Sequence, residues 1–309
     1  MLHHTPVLLR EVLEALDVRA GGCYVDATFG RGGHTAAILE RVGRDGKVIA
    51  IDRDPAAIAA GRERFAAEER LKLVAGPFSR LGALIAATGL AGRVDGVLLD
   101  LGVSSPQLDD AARGFSFAQD GPLDMRMDPG SGTSAEQFVA KAPEHELARV
   151  IREYGEERFA KRVAREIVAA RRAEPITRTA QLAEIVARAV PRREPGKHPA
   201  TRTFQAIRIH VNEELAELRA ALAGSLEALA PGGRLGVISF HSLEDGIAKR
   251  FIDQHSHEDP VYAGLPEVPA HARPKLQRIG RAVHPTDEEV AANPRARSAV
   301  LRVAQRVAV

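Results

Sequence analysis

Short apolar runs recur through the first hundred residues and again near residue 235. These runs are Tyr24–Ala27, Val48–Ile51, Leu71–Val74, Val97–Leu99 and Leu235–Phe240. Their Val, Ile and Leu content is typical of buried strands, and segments long enough for a helix separate the first four. The alternation predicts an α/β fold built on a doubly wound parallel sheet.

The interval between the fourth and fifth predicted strands is far longer than an ordinary crossover. Within it, Glu144–Arg172 and Thr179–Val190 carry apolar residues three and four positions apart, which predicts amphipathic helices. We therefore expect a core domain of residues 1–104 and 208–309, interrupted by an inserted all-helical domain of residues 105–207.

A leucine pattern marks the return of the chain to the sheet. Leu215, Leu218, Leu222, Leu226 and Leu229 follow at steps of three or four, as on one buried helical face. The run ends at Ala230-Pro231-Gly232-Gly233, where we expect the helix to stop before the fifth strand.

Composition narrows the class of protein. Of the 309 residues, 45% are apolar, which is enough for a sizeable core. No apolar run approaches the roughly 18 residues that span a bilayer, and the N-terminus lacks the pattern of a signal peptide. The single cysteine, Cys23, precludes an internal disulfide framework. We expect a cytoplasmic protein without a membrane partner.

Charge is distributed unevenly although the net charge is only +2. Residues 161–208 contain twelve Lys or Arg against four Glu, a net of +8, which leaves −6 for the remainder. Residues 271–309 form a second basic region, with eight Lys or Arg against three acids. Such clustering favours a phosphate-backbone partner, although a solvated helix face is the alternative for residues 161–208. With 4% aromatic residues, a base-stacking platform is not expected.

A breaker-rich loop, residues 191–199, lies inside the first basic region and is expected to be exposed. The candidate RNA-binding residues in and beside it are Arg192, Arg193, Lys197 and Arg202.

Candidate chemistry begins at the glycine-rich turn after the first predicted strand. Asp26 ends that strand, and Gly30, Gly32, Gly33 and His34 lead into a helix. Glycines in such a turn let a ligand approach the backbone, and the helix directs its free N–H groups toward that ligand. A simple tight turn is the alternative explanation.

The next strand delivers Asp52 about 20 residues after the turn, the spacing at which a carboxylate binds ribose hydroxyls. A dinucleotide is disfavoured because Thr35, not glycine, takes the third small position of the motif and because Asp26 would repel a phosphate. Asp26 would instead attract an ammonium group, which S-adenosylmethionine carries. A nicotinamide-dependent oxidoreductase would share the sheet and Asp52 and remains the alternative.

Polar residues also follow the fourth and fifth predicted strands. Asp100, Ser104 and Ser105 are candidates for ligand binding or catalysis, and helix or turn capping is their structural alternative. His241 is a further candidate. There the alternative is a helix start with Ser242 as the N-cap and with Glu244 and Asp245 in its first turn. The histidine spacings match no zinc motif, so no metal site is expected.

Longer and more specific motifs run almost end to end, and through them the chain resembles the bacterial family of 16S ribosomal RNA cytosine-N4 methyltransferases. They are residues 4–9, 26–35, 99–108, 121–128, 203–209, 239–250 and 293–298. The resemblance implies a class I S-adenosylmethionine-dependent methyltransferase with a Rossmann-like sheet and an inserted helical domain.

By motif position, the resemblance implies a set of cofactor contacts: Gly32, Gly33, His34, Asp52, Phe78, Asp100 and Gln107. The implied substrate is the exocyclic amine of a cytidine in the decoding region of 16S rRNA, within the small ribosomal subunit. Asp100 or the region of Ser104 and Ser105 is the first candidate for the proton acceptor, and His241 is the second. Another RNA or a protein as substrate, or a non-catalytic role in ribosome assembly, remains open, and so does a homodimer.

Overall fold

The computed structural model of the chain describes residues 6–191, 196, 198–258, 260–262, 269 and 272–308. The chain divides into two compact units, Met1–Gly102 with Leu215–Val309, and Val103–Glu214. The expected boundary at residue 208 falls inside the helix Thr201–Val211, so the second unit continues beyond it. No helix in the described ranges is long and apolar enough to cross a membrane.

The strands of the first unit form one sheet. They are β1 (Cys23–Asp26), β2 (Lys47–Asp52), β3 (Leu71–Ala75), β4 (Val94–Asp100), β5 (Leu229–Ser239), β6 (Leu276–Val283) and β7 (Val300–Arg306). Their order across the sheet is β3-β2-β1-β4-β5-β7-β6. Strands β1 to β5 pair in parallel, whereas β7 is antiparallel to both of its neighbours.

The five strands predicted from the apolar runs thus pair in parallel as expected, and the antiparallel strand β7 is one that the sequence did not predict. The search for apolar runs did not predict β6 or β7. For β6, the exposure of the strand explains why. As the edge strand, β6 exposes most of its residues and needs no continuous apolar sequence.

Helices surround the sheet and form the second unit. They are α1 (Leu9–Ala15), α2 (Gly33–Val42), α3 (Pro55–Arg64), α4 (Leu81–Ala86), α5 (Ser105–Asp109), α6 (Ala135–Lys141), α7 (Glu144–Gly155), α8 (Ala160–Ala173), α9 (Thr179–Ala189), α10 (Thr201–Val211), α11 (Glu214–Ala228), α12 (Ser242–His255) and α13 (Asp287–Ala292).

Both faces of the sheet are covered. Val303 of β7 belongs to an apolar cluster with residues of α1 and α2, whereas the next residue, Ala304, packs with Ile252 of α12. Successive side chains of a strand point to opposite faces, so α12 lies on the face away from α1 and α2. This is the doubly wound arrangement that the strand–helix alternation predicts.

The start of β5 differs from the expectation that the leucine-rich helix includes Leu229. Leu229 already pairs with Val94 of β4, and the pairing resumes at Arg234 with Gly96 after a bulge. The bulge accommodates Pro231-Gly232-Gly233, and a Cβ atom on Gly233 would lie 2.7 Å from the carbonyl oxygen of Val94. The helix α11 thus ends one residue earlier because strand pairing takes over.

The second unit is helical and has its own apolar core. The segment Glu144–Arg172 forms two helices rather than one, because Glu156 adopts a left-handed conformation (φ 51°) that ends α7. Leu147, Val163 and Ile207 contribute fully buried side chains from α7, α8 and α10. At Gly155 the backbone of α10 comes so close that a Cβ atom would lie 2.5 Å from the carbonyl oxygen of Arg202.

Candidate functional site

Three carboxylates come to one edge of the sheet. Asp26, Asp52 and Asp100 are the last residues of β1, β2 and β4, and β1 pairs in parallel with both of the other strands. The strand order reverses between β1 and β4, so the crevice beside their carboxyl ends is the place where ligands bind in open α/β sheets.

The glycine-rich turn is built around close contacts. Gly32 has φ 69° and precedes the first residue of α2, and no side chain caps that helix start within the described residues. A Cβ atom on Gly33 would lie 2.4 Å from Cγ of Pro6, and one on Gly32 would lie 2.6 Å from the ring of Phe29. The turn therefore requires glycine, and the first N–H groups of α2 remain as donors for a ligand.

The side chain of Asp26 forms hydrogen bonds with residues on both sides of the glycine-rich turn. Its side chain is buried, and its oxygens accept a hydrogen bond from the Thr35 hydroxyl at 2.6 Å and from the Thr28 N–H at 3.2 Å. Burial raises the pKa of Asp26, and these two donors partly offset that effect. The geometry assigns Asp26 first to fixing the turn, and direct contact with an ammonium group remains a prediction.

Asp52 is bound to the same turn. It accepts hydrogen bonds from the N–H of Gly30 at 2.7 Å and from the N–H of Asp54 at 2.8 Å. Burial raises the pKa of Asp52 to about 6, despite the two donors, which lower it. Each carboxylate oxygen has further lone pairs, so ribose hydroxyls remain suitable donors.

Asp100 faces His34 across the crevice. The Nε2 atom of the buried His34 lies 3.5 Å from Oδ2 of Asp100, and the backbone N–H of Asp100 donates to the Thr28 hydroxyl at 2.7 Å. Burial lowers the pKa of His34, but Asp100 and then Asp26 outweigh burial and raise it.

The second oxygen of Asp100 lacks a protein donor. Oδ1 is buried without a hydrogen-bond partner among the described residues, and so are both ring nitrogens of His34. Because buried polar atoms in proteins are nearly always paired, Oδ1 of Asp100 and Nδ1 of His34 indicate a site for a polar ligand, whereas Nε2 of His34 already faces Oδ2 of Asp100 at 3.5 Å. They also disfavour the interpretation of Asp100 as a helix or turn cap.

Ser104, Ser105 and Gln107 belong to the second unit. Ser104 is the N-cap residue of α5, Ser105 begins that helix, and the Gln107 side-chain oxygen accepts the Ser104 N–H at 2.9 Å. Such reciprocal capping stabilises the helix start. The structure thus gives Ser104 and Gln107 a structural role, while their catalytic and cofactor roles remain predictions.

His241 is the N-cap of α12, one residue before the Ser242 of the structural alternative, and Glu244 and Asp245 lie in the first turn as that alternative expects. His241 Nδ1 accepts the N–H of Glu244 at 3.4 Å, and Glu244 accepts the N–H of Phe240 at 2.8 Å. Asp245 forms a bidentate pair with Arg302 of β7, at 2.6 and 2.8 Å. This network supports the structural alternative for the loop after β5, and catalysis by His241 remains a prediction.

The remaining predicted residues are dispersed. Phe78 is half-buried and begins a short 3₁₀ helix after β3. Arg202 donates from its guanidinium to the carbonyl oxygen of Glu156 at 2.6 Å, at the end of α7. Arg192, Arg193 and Lys197, with most of the loop predicted around them, lie outside the described residues.

The sequence interpretation missed two threonines that organise the site. Thr28 and Thr35 bond to Asp100 and Asp26 respectively. The contact of Thr35 with Asp26 could have been predicted, because its hydroxyl follows within ten residues of an aspartate at the end of a strand. Thr28 and Asp100 are 72 positions apart, and only the pairing of β1 with β4 brings them together.

Comparison with known proteins agrees with this geometry. The model of the MraW methylase family matches residues 1–307. The chain belongs to this family. The ribosomal RNA small subunit methyltransferase H of Thiobacillus denitrificans (strain ATCC 25259 / T1) is 61% identical over 306 residues, covering 99% of this chain and 97% of that protein.

Two solved structures are more distant. A putative rRNA methylase from Clostridium thermocellum is 13% identical with a TM-score of 0.44, over 98% of this chain and 100% of its own. An S-adenosylmethionine-dependent O-methyltransferase from Thermotoga maritima is 12% identical with a TM-score of 0.44, over 100% of this chain and 69% of its own.

Membership of the MraW methylase family makes the chain a methyltransferase with a class I, Rossmann-like sheet, and it decides against the nicotinamide-dependent oxidoreductase.

Proposed function

We propose that the chain transfers a methyl group from S-adenosylmethionine to N4 of one cytidine in the decoding region of 16S rRNA, acting on the small ribosomal subunit in the cytoplasm. The observation that carries the proposal is the 61% identity, over 99% of the chain, to a ribosomal RNA small subunit methyltransferase H. The basic residues of the 161–208 region suit a polyanionic substrate.

The residues at the sheet edge fit the proposed cofactor. The unpartnered Oδ1 of Asp100 can accept a hydrogen bond from an N–H or O–H group, and the position of Asp52 at the end of β2 supports its proposed role in binding ribose hydroxyls. Phe29 and Pro6 leave no room for side chains at Gly32 and Gly33, and no side chain of a described residue caps the start of α2, so its first N–H groups are available as donors. When bound, S-adenosylmethionine supplies an activated methyl group on its sulfonium sulfur.

Toward the target cytosine, residues of the chain must localise the lone pair of the N4 amine and must receive the proton that this amine loses. The N4 amine of cytosine is conjugated with its ring, so its lone pair must be localised by a hydrogen-bond acceptor before it is nucleophilic. Asp100 is our first candidate to accept an N–H of this amine and to receive its proton, with backbone groups near Ser104 and Ser105 as alternatives. Asp100 and Asp26 outweigh burial and raise the pKa of His34, which favours the cationic imidazole beside the Asp100 carboxylate.

The target base must also be accessible. An amine inside a paired, stacked duplex cannot meet the methyl group in line, so we expect the target cytidine to be unpaired or flipped.

The direct test uses purified protein, labelled S-adenosylmethionine and small ribosomal subunits from cells that lack this activity. After digestion of the RNA, mass spectrometry identifies the labelled nucleoside. Labelled N4-methylcytidine at one site supports the proposal. Label in another nucleoside or in a ribosomal protein would contradict the proposed substrate and identify a different one. Cofactor binding without any transfer contradicts catalysis and favours a role in assembly alone.

A further inference from the structure

The second basic region, residues 271–309, contains arginines beyond Arg302 that the site described above does not use. Its strands β6 and β7 pack with α12, and among them lies an open cleft of about 210 Å³, large enough for more than a single water molecule. Lys249 of α12 and Arg278 and Arg281 of β6 line this cleft. We refer to the three side chains as the edge cations.

We propose that the edge cations form a second RNA-backbone site on the first unit, which binds phosphates of the ribosomal RNA away from the carboxyl ends of the strands. The inference rests on the proposed function for the identity of the nucleic acid.

The edge cations are exposed, and Lys249 is close enough to Asp245 to help lower the pKa of that carboxyl without forming an ion pair with it. None of the three forms an ion pair with another described residue, unlike Arg302, which lines the same cleft but is paired with Asp245. Among the described residues that line the cleft, the one acid is Asp253, which lies beside His257, its Oδ1 4.0 Å from Nδ1 of the ring, and it faces four lysine or arginine side chains. The cleft therefore retains a net positive charge, which attracts phosphate oxygens.

The backbone of β6 is deformed where it presents these residues. From Ile279 to Val283 the strand advances four residues while its partner β7 advances two, from Val303 to Leu301. Gly280, within this bulge, has φ 64°, although a Cβ atom there would meet nothing within 4 Å. Glycine is thus favoured by the left-handed conformation and not by crowding.

The bulge explains how both arginines reach one cleft. Arg278 pairs with Ala304, which faces α12, and in a regular strand Arg281, three residues later, would point to the opposite face. The extra residues break this alternation, and Arg281 lines the same cleft as Arg278, Arg302 and residues of α12. Bulges commonly redirect a side chain in this way, and here the result is that two arginines line one cleft together with Lys249.

The position of the cleft suits an extended partner. β6 is an edge strand, so a polyanion can follow it without displacing another strand of the sheet. Guanidinium groups bind phosphate oxygens in a bidentate manner, and such contacts carry affinity and salt dependence but no base specificity.

The test measures binding of small-subunit rRNA by the full-length protein at several salt concentrations. In the triple variant Lys249→Gln, Arg278→Gln, Arg281→Gln, we expect the dissociation constant to rise roughly tenfold or more near physiological salt. The slope of log K against log salt should fall by about 2, as three lost contacts predict. The affinity for S-adenosylmethionine should be unchanged.

Two further variants isolate the cause. The charge-preserving variant Lys249→Arg, Arg278→Lys, Arg281→Lys should retain the wild-type slope. The variant Arg41→Gln, Arg44→Gln, Lys72→Gln removes the same charge from exposed residues elsewhere in the first unit, with Lys72 on β3 at the opposite edge of the sheet. For this control variant, the binding constant for rRNA should depend more steeply on salt concentration than it does for the Gln triple variant.

An rRNA slope that is the same in the Gln triple variant as in wild type overturns the proposal. If such a variant also fails to sediment with intact small subunits, the cleft binds a ribosomal protein instead of RNA. Because binding is measured without methyl transfer, the result is independent of the proposed function. If the wild-type protein makes no N4-methylcytidine, the proposed function is refuted, but the measured contribution of the edge cations to rRNA binding still stands.

Discussion

The hydroxyl of Thr35 donates a 2.6 Å hydrogen bond to Oδ2 of Asp26, and both side chains are buried. The bond joins the first turn of α2 to the end of β1, which fixes the glycine-rich turn between them. Burial raises the pKa of Asp26, and the Thr35 hydrogen bond is the largest of the effects that lower it. The turn is therefore held by a carboxylate that is costly to ionise and depends on its donors.

Replacing Thr35 with valine should destabilise the protein with a defined pH dependence. Valine preserves shape but removes the donor, which we expect to lower the free energy of unfolding by about 1–3 kcal/mol. The pKa of Asp26 should rise further. A carboxyl group whose pKa is raised by folding stabilises the fold at low pH, and this contribution disappears as the pH rises through that pKa. The free energy of unfolding that Thr35→Val loses relative to wild type should therefore be larger at pH 8 than at pH 5.

Urea unfolding of wild type, Thr35→Val and Thr35→Ser at both pH values checks this prediction. Serine keeps the hydroxyl and is the matched control. Equal stabilities of the valine and serine variants at pH 8 would show that the hydrogen bond contributes nothing to the fold.

The contact between Gly33 and Pro6 yields a prediction about packing. A Cβ atom on Gly33 would lie 2.4 Å from Cγ but 3.5 Å from Cβ of Pro6. Gly33→Ala should therefore destabilise the protein by about 1–3 kcal/mol through overpacking, and Pro6→Ala should relieve much of that loss.

A double-mutant cycle in denaturant measures this relief. We expect the double variant to be more stable than the sum of the single changes predicts, with a coupling of about 0.5–3 kcal/mol. Additive effects would mean that alanine at position 33 is disfavoured for a reason other than the Pro6 ring.

Sequence alone predicted those parts of the site that depend on local spacing. The glycine turn and the strand-end positions of Asp52 and Asp100 followed from short patterns, because a strand, a turn and a helix are specified by neighbouring residues. The contact of Thr28 with Asp100 could not be predicted in this way, since it depends on which strands pair. The strand β7 was missed for a related reason, because its direction and place are set by pairing with β5 and β6.

The raised pKa of Asp52, about 6, predicts pH-dependent binding of S-adenosylmethionine. Ribose hydroxyls donate to the ionised carboxylate, so binding should strengthen as pH rises to about 6 and then level off. At pH 5 the affinity should be roughly tenfold weaker than at pH 7.5, as one linked proton requires.

Isothermal titration calorimetry from pH 5 to pH 8 tests this expectation. Asp52→Asn should bind more weakly, and its affinity should depend less on pH, with any residual dependence arising from Asp26 or His34. A wild-type affinity that is constant over this range would remove Asp52 from ribose binding.

Asp100 and His34 provide the sharpest test of the proposed chemistry. Asp100→Asn keeps the side-chain shape but removes the charge, so we expect turnover to fall by about tenfold or more while the protein remains folded. The pKa of His34 should fall as well, because Asp100 is the main influence that raises it and burial, which lowers it, remains. Methyl-transfer assays measure the first effect, and histidine titration by NMR measures the second without any substrate.

Asp95 supplies the matched control at the other end of the same strand. It accepts the N–H of Cys23 at 2.8 Å and pairs with Arg19, so Asp95→Asn tests the same chemical change away from the carboxyl ends of the strands. We expect it to lower stability modestly and to leave both turnover and the His34 titration unchanged. Near-normal turnover in Asp100→Asn, with the His34 pKa lowered as expected, would keep the ion pair but exclude Asp100 as the proton acceptor. In that case the backbone near Ser104 and Ser105, and then His241, become the candidates to test.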